Sequence, residues 1–157
     1  MQIMRHAFGW VVIACCFAAG EAAAQSSGFG LGFIVGEPTG LSAKAWQSKT
    51  RAFDFAAAWS FGGTDAFHLH SDYLLHRFGV IKVSKGQLPI YYGIGGRILF
   101  HDSGDEDIEF GVRFPVGLDY LFTNDPIDIF FEIVPILDLV EETDFELNAS
   151  LGARYWF

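Results

Sequence analysis

The chain has 157 residues, of which 51% are apolar, 17% aromatic and 18% charged. That length supports one domain, and 17 Phe beside so few charges exclude a disordered chain. Ten Lys and Arg against 19 Asp and Glu give a net charge of −9, and with no basic stripe this excludes nucleic acid as a partner.

Residues Met1–Ala24 read as a cleaved secretory signal. Arg5 and His6 form a short polar start, Phe8–Ala19 an apolar run too short to span a bilayer, and Ala22-Ala23-Ala24 a small-residue cleavage site. Cys15 and Cys16 lie inside this segment, so the mature domain, 25–157, is expected to carry no disulfide. Val12-Ile13-Ala14-Cys15 loosely matches a lipoprotein box, but the apolar residues that follow, through Ala19, speak against a polar tether and a lipid anchor at Cys15.

Beyond Gln25 no long amphipathic helix fits, whereas two-residue alternation fits almost everywhere. Eight strands are expected, near 28–36, 40–47, 50–61, 65–76, 88–100, 107–121, 127–139 and 144–157. The third sets Phe53, Phe55, Ala57, Trp59 and Phe61 against Asp54, Ala56, Ala58 and Ser60. In the sixth, Ile108, Phe110, Val112, Phe114, Val116, Leu118 and Tyr120 oppose Glu109, Gly111, Arg113, Pro115, Gly117 and Asp119. Turn chemistry separates the runs, as in Gly36-Glu37-Pro38-Thr39-Gly40, Asp102-Ser103-Gly104-Asp105 and Thr123-Asn124-Asp125-Pro126. The stretch from Arg77 to Gln87 is less regular and reads as a longer connection with a short extended piece, Val80–Val83.

Alternation does not say which face points inward. The polar face is rich in Gly, Ala, Ser and isolated charges and poor in Lys, as in a crowded barrel interior rather than a solvated surface. The apolar face runs for the nine to eleven residues that a tilted strand needs to cross a bilayer. The last strand ends Leu151-Gly152-Ala153-Arg154-Tyr155-Trp156-Phe157, which resembles the signal that bacterial outer-membrane barrels present to their assembly machinery, with Tyr155 and Phe157 as its key positions. With the export signal and the strand count, the chain resembles small eight-stranded outer-membrane proteins of the OmpA/OmpX type. Leu88-Pro89-Ile90-Tyr91-Tyr92-Gly93-Ile94-Gly95-Gly96-Arg97 also resembles a family of uncharacterised small barrels.

The resemblance implies an all-β, eight-stranded, antiparallel up-and-down transmembrane barrel in the outer membrane of a Gram-negative cell, exported by its signal and surrounded by lipid and lipopolysaccharide. It implies a monomer without a cofactor, and no specific activity. The polar face places Lys44, Asp54, His68, His70, Asp72, Arg97, Glu109, Arg113, Asp119, Glu132, Glu146 and Arg154 in the lumen, where charges in a lipid-surrounded interior must pair or meet water. Arg97 and Arg113 are expected to share Glu109 and Glu132. His68, His70, Asp72 and His76 lie on one face of the fourth strand. They permit a transition-metal site or acid–base chemistry, but His70 and Ser71 point oppositely, unlike the His-x-Ser of lipid A-modifying barrels. A hydrogen-bonded plug is the plainer reading, with neither catalytic residue nor metal. The acidic loops, Asp102, Asp105, Glu106 and Asp107 and then Glu141, Glu142 and Asp144, read as a solvated rim. The function expected is structural, in envelope integrity. A lipid- or lipopolysaccharide-modifying enzyme, a narrow channel and a soluble periplasmic barrel for an apolar ligand are the alternatives.

Overall fold

A computed structural model describes residues 27–61, 66–101, 108–139 and 143–157. The signal segment Met1–Ala24 and the loop residues Asp102, Ser103, Asp105, Glu106, Asp107, Glu141 and Glu142 lie outside the described residues. The strands are β1 (Phe29–Gly36), β2 (Thr39–Trp46), β3 (Arg51–Ser60), β4 (Ala66–Ile81), β5 (Leu88–His101), β6 (Ile108–Arg113), β7 (Val116–Leu121), β8 (Ile127–Asp138) and β9 (Asp144–Trp156).

Successive strands pair antiparallel, and β9 returns to β1 over the register Gly30↔Trp156 to Gly36↔Ser150, so the sheet closes on itself. β6 and β7 are two halves of one stave, since both pair with β5 on one side and β8 on the other. The break falls at Phe114-Pro115, where Pro115 has no N–H to give the ladder. Gly93 N donates to Pro115 O (3.0 Å) and Phe114 N to Pro135 O (2.9 Å), which keeps the two halves aligned. The result is a ring of eight staves, and closure leaves no free sheet edge among the described residues.

Two local expectations are corrected. β4 does not end near residue 76 but runs to Ile81, because its ladder with β5 resumes after a bulge, from Arg77↔Ile90 to Ile81↔Leu88. Gly79, with φ of 78°, supplies the left-handed residue that such a bulge needs. The first turn is also shorter than expected. Thr39 already belongs to β2. Gly40, read both as the end of the turn and as the start of the second strand, is a strand residue opposite Ile34 and Ala58, where a Cβ would collide with the β3 backbone.

Alternation sorts the faces as a membrane barrel does. On β8, Ile127, Ile129, Phe131, Ile133 and Leu137 are 37–45% exposed on the outside, while Asp128, Phe130, Glu132, Val134, Ile136 and Asp138 are buried inside. The same parity holds on β3 and β9, where Phe53, Phe55, Trp59, Leu147, Leu151 and Tyr155 face outward. Large inward rings fit because glycines face them: Gly152 lies against the Phe130 ring and Gly117 against that of Tyr91.

Candidate functional site

The barrel interior is where chemistry-bearing side chains converge. Its order along the axis follows from strand register, because each inward residue lies opposite an inward residue on the next stave.

At the end that holds the β2–β3 and β4–β5 turns the lumen is closed by rings. Trp46 packs on His76 (centroids 4.4 Å) and Trp156 (6.1 Å), and His76 packs on Tyr91 (5.3 Å). Lys44 Nζ lies over the Trp46 and Tyr91 rings at 4.8 and 5.3 Å. That ammonium on β2 reaches across the barrel to Asp119 Oδ2 on β7 at 2.5 Å and meets His76 Nε2 at 2.8 Å.

One level up, Arg154 on β9 ties three staves. It donates from Nη1 to Asp54 Oδ1 on β3 (2.5 Å) and from Nε to both oxygens of Asp128 on β8 (3.2 Å each), and its Nη2 stands 3.8 Å from Asp119 Oδ2. Its guanidinium also stacks 4.0 Å from the Phe130 ring centre. Arg113 on β6 does the same work for the next sector. Its Nε donates to Asp72 Oδ1 and Oδ2 on β4 (3.0 and 3.1 Å), and Nη2 lies 3.6 Å from Glu132 Oε1. Tyr91 Oη and Ser150 Oγ donate to the two oxygens of Glu132 (2.9 and 3.3 Å).

Toward the loop end, Arg97 on β5 donates to Asp138 on β8 (Nε 3.1 Å, Nη2 2.6 Å) and to Glu146 on β9. The carboxylate of Glu109 sits at the rim, 41% exposed, 3.8 Å from His101 Nε2. Between these levels, His68 Nε2 and His70 Nδ1 are joined by a 3.1 Å hydrogen bond. An open hollow of about 730 Å³ along β1–β6 is lined both by outward side chains, such as Leu41, Phe55 and Phe110, and by inward Ala56, His70 and Arg97.

Of the twelve interior residues expected from the sequence, Lys44, Asp54, His68, His70, Asp72, Arg97, Arg113, Asp119, Glu132 and Arg154 are buried. Glu109 and Glu146 face the same way but stand at the partly exposed rim. The proposed sharing is corrected. Arg113 does meet Glu132, but its close partner is Asp72, while Arg97 takes Asp138 and Glu146 and neither arginine pairs with Glu109. The reason is geometric. Long side chains in a narrow lumen reach the next stave or beyond it. Arg154 meets its register partner Asp128 and also Asp54 on β3. Arg113 meets Glu132 on the next stave and Asp72 two staves away, while Glu109 on its own strand points to the rim. Sequence reasoning passed over Asp128 and Asp138, which share the parity of Glu132 on β8, and Tyr91, whose phenol needed a buried acceptor. His76 was placed on the right face without a partner, and that partner, Lys44, is distant in sequence.

No protein-family model and no curated protein matches the chain. Among solved structures, the N-terminal β-barrel domain of Pseudomonas aeruginosa OprF is similar to it, with a TM-score of 0.58 and 14% identity, covering 83% of this chain and 98% of that domain. At that identity the likeness is one of fold. The chain has a closed, eight-stranded, antiparallel up-and-down barrel, the fold it shares with that domain.

Proposed function

We propose that this chain is an integral outer-membrane barrel whose lumen is plugged by ion pairs, and that its role is structural, in envelope integrity. The observation that carries the reading is the combination of an apolar exterior with salt bridges that cross the lumen, such as Lys44 to Asp119 from β2 to β7. A soluble barrel would hide the first and display the second. Two aromatic bands support a membrane setting, as at lipid–water interfaces. Near the loop end Trp59, Phe67 and Phe100 form a ladder with ring centres 5.0 and 6.2 Å apart. Near the other end Tyr120 contacts Phe122 (4.8 Å) and Tyr155 contacts Phe157 (5.1 Å).

In this reading Met1–Ala24 directs export, Tyr155 and Phe157 are read by the assembly machinery, and lipid and lipopolysaccharide cover the outer face. The barrel works as a monomer, since ring closure satisfies every stave. A non-enzymatic role is supported by the placement of His68, His70 and His76, which face the interior away from lipid substrates. The test is fractionation followed by gel mobility with and without heating, then planar-bilayer recording of the purified barrel. A membrane-bound, heat-modifiable protein without discrete conductance steps is expected. Recovery in the soluble periplasm would overturn the membrane assignment, and regular single-channel steps would replace the plug with a narrow channel.

A further inference from the structure

We infer that Asp54, His70 and Asp72 form a binding site for one divalent transition-metal ion of the zinc type inside the barrel. Asp54 and Asp72 are direct cross-strand partners on β3 and β4, and His70 lies two residues before Asp72 on the same face. Like charges directly opposite one another in a sheet repel unless something positive stands between them. From other staves, Arg154 takes Asp54 Oδ1, leaving Oδ2 toward His70, and Arg113 Nε bridges both oxygens of Asp72. Facing each other across the remaining gap are His70 Nε2, 3.9 Å from Asp54 Oδ2 and 3.8 Å from Asp72 Oδ2. One donor atom from each of the three residues lies within 4.8 Å of the others.

The independent observation is His70 itself. The residue is 95% buried, and its Nε2 makes no hydrogen bond to the protein. Its other ring nitrogen is engaged with His68 Nε2, which fixes the ring plane and aims Nε2 between the two carboxylates. That is the arrangement in which a metal-bound imidazole is oriented through its second nitrogen. At 3.8 and 3.9 Å the two carboxylate oxygens stand too far from Nε2 for a hydrogen bond, and a cation among the three donors would satisfy all of them at once.

The charge balance points the same way. Among the described residues, the buried cations are Lys44, Arg97, Arg113 and Arg154, against buried Asp54, Asp72, Asp119, Asp128, Glu132 and Asp138. With neutral histidines, two negative charges are left over, and one divalent ion supplies them. A donor set of one imidazole and two carboxylates suits zinc and its neighbours, whereas calcium takes six to eight oxygens. The edges of a tetrahedral zinc site with bonds of ~2.1 Å are ~3.4 Å. The present 3.8 and 3.9 Å spacings close to that by a small contraction.

The test uses untagged barrel purified from membranes in detergent, unfolded in urea with a chelator, and refolded with or without Zn²⁺. Bound metal is counted by elemental analysis after gel filtration, and affinity is read by competition with a chromophoric chelator. One Zn²⁺ per chain is expected. His70→Ala should weaken binding by about 100-fold or more, and His68→Ala, which removes the orienting partner, by about 10–100-fold. His76→Ala, which lies at another level of the lumen, should leave it unchanged. Folding of each variant is checked by heat-modifiable mobility. Should His70→Ala fail to fold, the wild type still decides: Co²⁺ should give the visible absorption of a four-coordinate site with imidazole and carboxylate donors. Failure of the wild type to take up Zn²⁺, or equal affinity in folded His70→Ala, would overturn the proposal.

Discussion

Arg113 shows what a single interior side chain does in this barrel. It is fully buried, and its guanidinium holds Asp72 on one side and Glu132 on the other. A buried ion pair contributes little net stability against an apolar replacement, because desolvation offsets attraction, but removing one partner strands the other charge. Arg113→Met should therefore cost roughly 3–5 kcal/mol, less where lumen water relaxes the stranded carboxylates. Asp72→Asn on top of it should recover part of that loss, whereas Glu109→Gln should add independently, since Glu109 pairs with His101 at the rim. Urea unfolding in vesicles, with a chelator present, measures both cycles. Additivity for Arg113 with Asp72 would show that the two do not interact.

At the scale of the strand, small and large inward residues are matched across neighbouring staves. Gly152 on β9 leaves room for the Phe130 ring on β8, its partner in register, and any Cβ at 152 would strike that ring and the Phe33 carbonyl oxygen on β1. Gly152→Ala should cost about 1–3 kcal/mol, because the neighbours are a packed ring and a backbone rather than a flexible chain end. Phe130→Leu in the same background should return part of it by opening the space. The two variants and their combination can be compared by unfolding midpoint, and equal midpoints for Gly152→Ala and wild type would mean that the ring has another place to go. The glycines on the polar face and the alternation of β8 could both be read from the sequence. Which glycine meets which ring could not, because that depends on the register between strands.

For the whole molecule, the decisive property is an exterior more apolar than the interior. Ile133, in the middle of β8 and 42% exposed, should carry a depth-dependent penalty. Ile133→Arg is expected to cost about 2–4 kcal/mol in a bilayer, because the charge is forced into hydrocarbon, whereas Val83→Arg, beyond the end of β4, should cost about 0–1 kcal/mol. Folding yield and unfolding midpoint in lipid vesicles check this, and equal penalties at the two positions would contradict a membrane-embedded middle. Closure of the ring and filling of the lumen belong to the same scale. A barrel of eight staves is just wide enough for its side chains, so cross-lumen pairs such as Lys44 with Asp119 form without distorting the sheet.

The period of two along each segment was enough to define the strands, their turns and the two faces, because pleating sends successive side chains to opposite sides whatever the strand pairs with. Composition then assigned the faces, since isolated charges among glycines and alanines suit a crowded interior and unbroken Phe, Ile and Leu suit lipid. The partners of each charge were beyond such reading. Arg97, Arg113 and Arg154 choose carboxylates by distance across a closed ring, and that distance is set by stagger, side-chain reach and which glycines leave space, none of which is local. The same holds for His70. Its place on the inner face follows from parity alone, but the bare Nε2 between Asp54 and Asp72 arises because β3 and β4 align those two carboxylates directly opposite one another.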